Sequence, residues 1–208
     1  MEKPRSLRAD GQLKMEALLE AASKVFASSG VDAPVREIAE AAGVGIGTVY
    51  RHFPQRSDLI VAVFQNQVDA CADAAPIIAE RCDPGEALNR WIQCYVEFLV
   101  NKRGLATALH SGDSAYSALP TYFSQRLEPA LKSLLESAIA AGVVRSEIKA
   151  GELLRAIGSL CCQDLHGEES LCARRMVGLL VDGLRFGANS QGDTSYSTLR
   201  SNVTHHQY

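Results

Sequence analysis

An all-α fold, with three short N-terminal helices leading into a larger bundle and about nine helices in all, is predicted by three observations. Apolar residues recur at three- and four-residue spacing through most of the chain. No stretch alternates apolar and polar residues as a half-buried strand does, and glycines and prolines fall where the helical periods stop. With 208 residues, 47% hydrophobic and 22% charged, the chain has ample material for a core.

The elements follow in order. Residues 13–29 place Leu18, Ala21, Ala22, Val25 and Phe26 on one face, and Gly30 is a C-terminal stop. After a turn at 30–33, Pro34 suits the first position of a second short helix, with Val35, Ile38, Ala39 and Ala42 inward and Gly43 ending it. In residues 44–53, Val49 and Phe53 form an i, i+4 pair that anchors a third short helix, and Pro54 breaks it. Residues 55–79 read as a long fourth helix with Leu59, Ile60, Val63, Phe64 and Val68 inward, kinked or stopped before Pro76.

A turn at 81–85 precedes a helix over 86–102 carrying Leu88, Trp91, Ile92, Tyr95, Val96 and Leu99 on one side. A short helix at 104–110 and a Ser/Gly-rich loop at 111–117 follow. Residues 120–141 form a helix closed by Gly142, which Pro129 is expected to bend or divide. Two last helices occupy 150–165 and 168–188, and the polar residues from 189 onward are expected to be disordered. The expected division is a head at 1–56 with a mobile arm at 1–10, a helical body at 57–188 and a tail at 189–208.

Residues 34–53 have the parts of a helix-turn-helix: a bracing helix, a tight turn, and a second helix whose outer side chains read a major groove. Gly43 suits a left-handed turn residue, and Val44 fills the space beneath it. With Val49 and Phe53 inward, Ile46, Thr48, Tyr50, Arg51 and His52 lie on outward or flanking positions. Arg51 can donate two hydrogen bonds to a guanine, Thr48 can meet a base edge, and Tyr50 and His52 can reach phosphates. Gly45 and Gly47 allow close approach, while Arg36 and Arg56 are placed to clamp the backbone on either side.

This stretch resembles the TetR family of bacterial repressors. The match runs through Arg36, Ile38, Ala39, Ala42, Gly43, Val44, Gly47, Thr48, Tyr50, His52 and Phe53 at fixed spacing, and it covers about the first 60 residues. It departs from the family at Ala33-Pro34, where a capping Thr or Ser is usual, and at Ile46, often polar. The resemblance implies a homodimer on a roughly palindromic operator, released by an unknown small molecule bound in the second half.

Candidates for that ligand site are Trp91, Tyr95, His110, Tyr122, Phe123, Cys161 and His166, which mix aromatic surface with polar tips. Candidates for the dimer interface are Leu153, Ile157, Leu160, Met176, Leu180 and Leu184 on the last two helices.

Charge gives the DNA reading no support. The net charge is −3, and residues 1–60 carry eight Lys/Arg against eight Asp/Glu. No Ser/His/Asp, phosphate-loop or metal-ligand motif points to an enzyme, a metal or a cofactor. The six cysteines sit in apolar helical patterns without a CxxC pair and most of them read as buried thiols, the alternative being a redox or metal sensor at Cys161, Cys162 or Cys172. No apolar run approaches the roughly 20 residues of a membrane span, and the N-terminus lacks the apolar stretch of a signal peptide, so a cytoplasmic location is expected.

Overall fold

The computed structural model describes residues 5–101, 105–109, 111–161 and 168–186. The order is α1 (Arg5–Ser29), α2 (Val35–Ala41), α3 (Ile46–His52), α4 (Arg56–Ala79), α5 (Pro84–Asn101), α6 (Ala106–Leu109), a 3-10 turn (Ser114–Tyr116), α7 (Leu119–Ala140), α8 (Ala150–Cys161) and α9 (Glu168–Phe186). The described residues contain helices and no strands, as the periodicity predicts. The expected tail, together with Lys3, His110, Cys162 and His166, lies outside the described residues.

Several boundaries differ from expectation for identifiable reasons. Residues 5–10, expected in a mobile arm, continue α1, because only Gly11 interrupts otherwise acceptable helix formers, at a cost of about 1 kcal/mol. Pro34 is the cap of α2 and not its first residue, and α3 starts at Ile46 because Gly45 is extended (φ −70°, ψ 141°). Pro76 and Pro129 both lie inside continuous helices. A proline costs a helix interior about 3 kcal/mol. Against that, α7 buries Leu119, Leu127, Leu131, Leu134, Leu135 and Ala138. Each buried Leu contributes roughly 1.5–3 kcal/mol, so packing wins and the helix is not divided.

The core runs through both parts of the chain. Phe26, Ile38 and Val49 from the first three helices join the apolar face of α4, including Leu59, Ile60 and Val63. Farther along, α4 packs against α5 and α7, α8 packs against α5 and α7, and α9 lies against α8 and borders α5. Inside it, Trp91, Tyr95, Phe98, Phe64 and Phe123 form a contiguous aromatic cluster with ring centroids 5.8 to 6.2 Å apart. The buried polar tips are satisfied: the Trp91 indole donates to the Cys71 carbonyl at 2.9 Å and the Tyr95 hydroxyl to the Leu154 carbonyl at 3.2 Å.

Arg56, at the first position of α4, locks the head to this helix. Its Nε donates to the Val31 carbonyl and its Nη2 to the Ala33 carbonyl, and its guanidinium lies 5.9 Å from the Phe26 ring centroid. The turn between α1 and α2, which has no regular structure of its own, thus closes on a planar cation. Lysine, a point charge on a flexible stem, cannot reproduce that fork. Arg56→Lys is expected to lower the urea-unfolding stability of the DNA-free protein by about 1–3 kcal/mol; unchanged unfolding with weaker DNA binding would return Arg56 to the role of a phosphate clamp. Gly43 has φ 65°, a conformation that costs a side-chain-bearing residue about 1–2 kcal/mol. Gly43→Ala should therefore destabilise the protein by that amount, although its added methyl meets no atom within 4 Å.

Candidate nucleic-acid interface

Sequence and burial agree on the orientation of α3. Val49 is buried, Phe53 is half-buried behind it, and Gly45, Ile46, Gly47, Tyr50, Arg51 and His52 are exposed. A seven-residue helix exposing so much surface is held by few contacts. The Val49 anchor and the backbone bonds at its ends do that work: Thr48 N–H to the Gly45 carbonyl at 2.8 Å and Phe53 N–H to the Val49 carbonyl at 2.8 Å. The turn before it is fixed by Gly43 N–H to the Glu40 carbonyl and Val44 N–H to the Ala39 carbonyl.

Two faces of α3 emerge. Gly47 and Tyr50 are exposed on the outer face with Ile46 at their edge, Thr48 and His52, one turn apart, flank the side turned to α1, and Arg51 stands between the two and borders the same flank. Between that flank and α1 lies a cleft of about 480 Å³ lined by Lys14, Met15, Val44, Thr48, Arg51 and His52. Gly11, Gly43 and Gly45 also border it, and their lack of side chains keeps it open. Lys14 is the residue the motif reading missed. It sits in the first helix, where periodicity marks it only as a solvated position, and nothing in its neighbours reports that α1 crosses beside α3.

Arg36 is exposed on α2 and pairs with Glu40 at 2.8 Å, the carboxylate holding its guanidinium pKa above the usual range. An exposed i, i+4 pair of this kind is screened by solvent, so exchanging Glu40 for a DNA phosphate costs little. The helix it stands on lacks a side-chain cap at Pro34, as the sequence predicts. Glu37 in the first turn offers the helix N-terminus a negative charge and accepts a bond from Ser29 Oγ at 3.3 Å. Arg56 is turned inward to the Val31 and Ala33 carbonyls, so two of its donor groups are committed away from the DNA-facing surface.

The body redistributes the other candidates. Trp91, Tyr95 and Cys161 are buried in the core. The Tyr122 hydroxyl donates to the Asp69 carboxylate at 2.7 Å, beside Arg126, which bridges Asp69 at 2.6 Å and Asp73 at 2.8 Å. Burial and the adjacent Asp69 raise the Tyr122 pKa, so the phenol stays protonated as the donor. Phe123 borders an open cavity, a cleft of about 330 Å³ shared with Phe64, Leu109, Tyr116, Leu119 and Pro120. His110 and His166 lie outside the described residues.

Of the dimer candidates, Leu153, Ile157 and Leu184 are buried within their own chain and so cannot meet a partner. Leu160 and Leu180 are half-buried, and Met176 is 40% exposed. The exposed apolar row that α9 does present is Cys172, Met176, Leu179 and Gly183, at i, i+4, i+7 and i+11, with Leu179 63% exposed. It stands away from the inward row of Ala173, Val177, Val181 and Leu184. Burial pushes the Cys71 thiol up to about 12 and also raises Cys94, which places neither among reactive thiolates. Cys172 is exposed, and no group of three potential metal ligands occurs among the described residues.

Comparison with known proteins fits this geometry. The profile described as bacterial regulatory proteins, tetR family, matches residues 18–63, and that of the SbtR-like transcriptional regulator C-terminal domain matches residues 83–186. HTH-type transcriptional regulators of Staphylococcus aureus are 26% identical over 123 residues, covering 58% of this chain and 66% of theirs, so the match spans just under two thirds of those relatives. A TetR transcriptional regulator from Streptomyces coelicolor is 34% identical with a TM-score of 0.71, covering 81% of this chain and 97% of that one. The TetR transcription regulatory protein from Mycobacterium vanbaalenii is also 34% identical, with a TM-score of 0.67 and coverage of 86% and 99%. A helix-turn-helix head matched over residues 18–63 and a helical body matched over residues 83–186 make this chain a member of the TetR family of transcriptional regulators.

Proposed function

We propose that the protein is a homodimeric transcriptional repressor that binds a roughly palindromic operator through α3 and leaves it when a small molecule enters the body. The observation that carries this reading is the exposed outer face of α3 over a buried Val49, with Lys14, Thr48, Arg51 and His52 gathered along one flank. Gly47, Tyr50 and Arg51 enter the major groove with Ile46 beside a thymine methyl, and the Lys14 cleft receives a backbone phosphate. Thr48 and His52 steady that phosphate, and Arg36 holds another from α2.

Two heads must span successive major grooves, about 34 Å apart or a multiple of it, which one chain cannot do. The Cys172, Met176 and Leu179 row supports pairing through α9, with the half-buried Leu160 and Leu180 at its margin. The cleft at Phe64 and Phe123 supports the effector reading. Among the described residues that line it none carries a charge, so it suits a neutral, largely apolar molecule. Its wall includes Phe64 on α4, two turns from Arg56, so an occupant that favours a shifted α4 biases the head away from its DNA-bound position. No described helix is long and apolar enough to cross a membrane, and a cytoplasmic site of action follows from the DNA partner.

Three substitutions separate these roles. Arg51→Ala should cost about 1–3 kcal/mol of operator affinity and relax preference at one base pair, measured by fluorescence anisotropy on single-base operator variants. Equal loss on every duplex would make Arg51 a phosphate contact. Lys14→Ala should weaken all duplexes alike and reduce the slope of log affinity against log salt by about one, whereas an unchanged slope would remove Lys14 from the interface. Leu179→Glu places a charge in the proposed two-fold contact and should yield monomers in sedimentation velocity at micromolar concentration; a persisting dimer would put the interface elsewhere.

A further inference from the structure

Between α5 and α9 runs a groove of about 350 Å³, a size that small ligands occupy. Its floor is apolar: Ile92 and Val96 from α5 meet Val177 and Val181 from α9, and all four are buried. The polar side chains stand on the walls. Asn89, half-buried, and Gln93, exposed, belong to α5, and the exposed Arg174 belongs to α9. Among the described residues that line the groove none is acidic, and Arg174 takes part in none of the ion pairs between described residues. The groove thus offers a guanidinium and two amides over an apolar floor, with no carboxylate of its own to neutralise the cation.

The register of the two helices gathers the donors at one end. Near the end of α9, Arg185 Nη2 lies 3.4 Å from where a Cβ on Gly85, near the start of α5, would stand, so the helices run antiparallel. Arg174 lies eleven residues back from Arg185 and Val96 eleven residues on from Gly85, which at equal rise brings them level. Gln93 is within one turn of that level, and Asn89 lies toward the other end. Gly178 borders the groove between the two ends. A glycine inside a helix is less favourable than any residue except proline, yet nothing lies within 4 Å of the position a Cβ would take there. No neighbouring atom requires the glycine; the open space beside it does.

We infer that the groove between α5 and α9 is a binding site for a small carboxylate with a short apolar body. The Arg174 guanidinium meets the carboxylate through two parallel N–H bonds, the Gln93 amide N–H donates to the same group, and the apolar part lies over Gly178 on the valine and isoleucine floor toward Asn89. An ammonium ion of the same shape would face the Arg174 charge. The site is separate from the cleft at Phe64 and Phe123. By helical spacing Arg174 and Val181 stand on the opposite side of α9 from Cys172, Met176 and Leu179, so pairing of two chains through that row leaves the groove open. An occupant held at both walls bridges α5 and α9, which α8 otherwise joins by packing against each.

The test is calorimetric titration of the full chain, without DNA, using n-hexanoate and, as the oppositely charged isostere, n-hexylammonium. The inference predicts saturable binding of hexanoate and none of hexylammonium. Arg174→Gln, at an exposed position, should weaken hexanoate about ten-fold or more by removing the charge-assisted bonds. Gly178→Leu should abolish binding by filling the groove, while the melting temperature stays level or rises, because leucine is the better helix former and its Cβ meets no atom. No saturable heat, equal binding of hexylammonium, or hexanoate binding that survives both substitutions would overturn the site. Because the titration contains no DNA, any of these results leaves the operator-binding reading untouched.

Discussion

The joint at the start of α4 governs how the rest of the molecule can work. Arg56 grips the carbonyls of Val31 and Ala33 and covers Phe26, and from that residue α4 continues for 24 residues into the centre of the body. No flexible linker separates the part that faces DNA from the part that contains the cavities. The continuity of α4 and the Arg56 contacts tie the orientation of the head to that of this helix. The same helix contributes Phe64 to the apolar cleft, Gln67 to a groove between α4 and α5 and Asp69 to the Tyr122 and Arg126 network. These three regions thus touch the element that joins the head to the body.

Local placement overrides bulk charge at the DNA-facing surface. The chain is net negative, and its first 60 residues balance exactly eight against eight, yet Lys14, Arg51 and His52 converge on one cleft. Arg36 and Arg56 show how the same residue type divides by environment. The exposed Arg36 is held only by a solvent-screened carboxylate and remains exchangeable, while the partly buried Arg56 is committed to backbone carbonyls and serves the fold. The core is similarly divided. The aromatic residues that a sequence reader would assign to a ligand fill the interior by stacking on one another, and the open space is left at its periphery beside Phe64 and Phe123.

Much of this was legible in the sequence wherever the controlling interaction is local. Gly30, Gly43, Pro34 and the Val49 and Phe53 pair act within one turn of the chain, and their spacing anticipated the head, including the missing cap on α2. Periodicity also placed the long helices. It left open whether Pro129 bends or divides its helix, and tertiary burial of the surrounding leucines, which outweighs the local penalty, keeps that helix in one piece. The inward bonds of Arg56 and the place of Lys14 beside α3 were not legible for a different reason: their neighbours lie on other elements, and residue type alone does not tell a phosphate contact from a carbonyl clamp. On α8 and α9, apolar spacing identified two amphipathic helices but not which row faces inward. Leu153, Ile157 and Leu184 turned to their own core, leaving Met176 and Leu179 outside.

The central claim, that two α3 helices read one duplex in a symmetric pair, is tested most directly by selecting bound sequences from a random duplex pool with the purified full chain. The account predicts enrichment of two inverted half-sites whose centres lie about 10 to 10.5 base pairs apart, or a multiple of that spacing. Enrichment of a single isolated half-site, or none above the unselected pool, would contradict it.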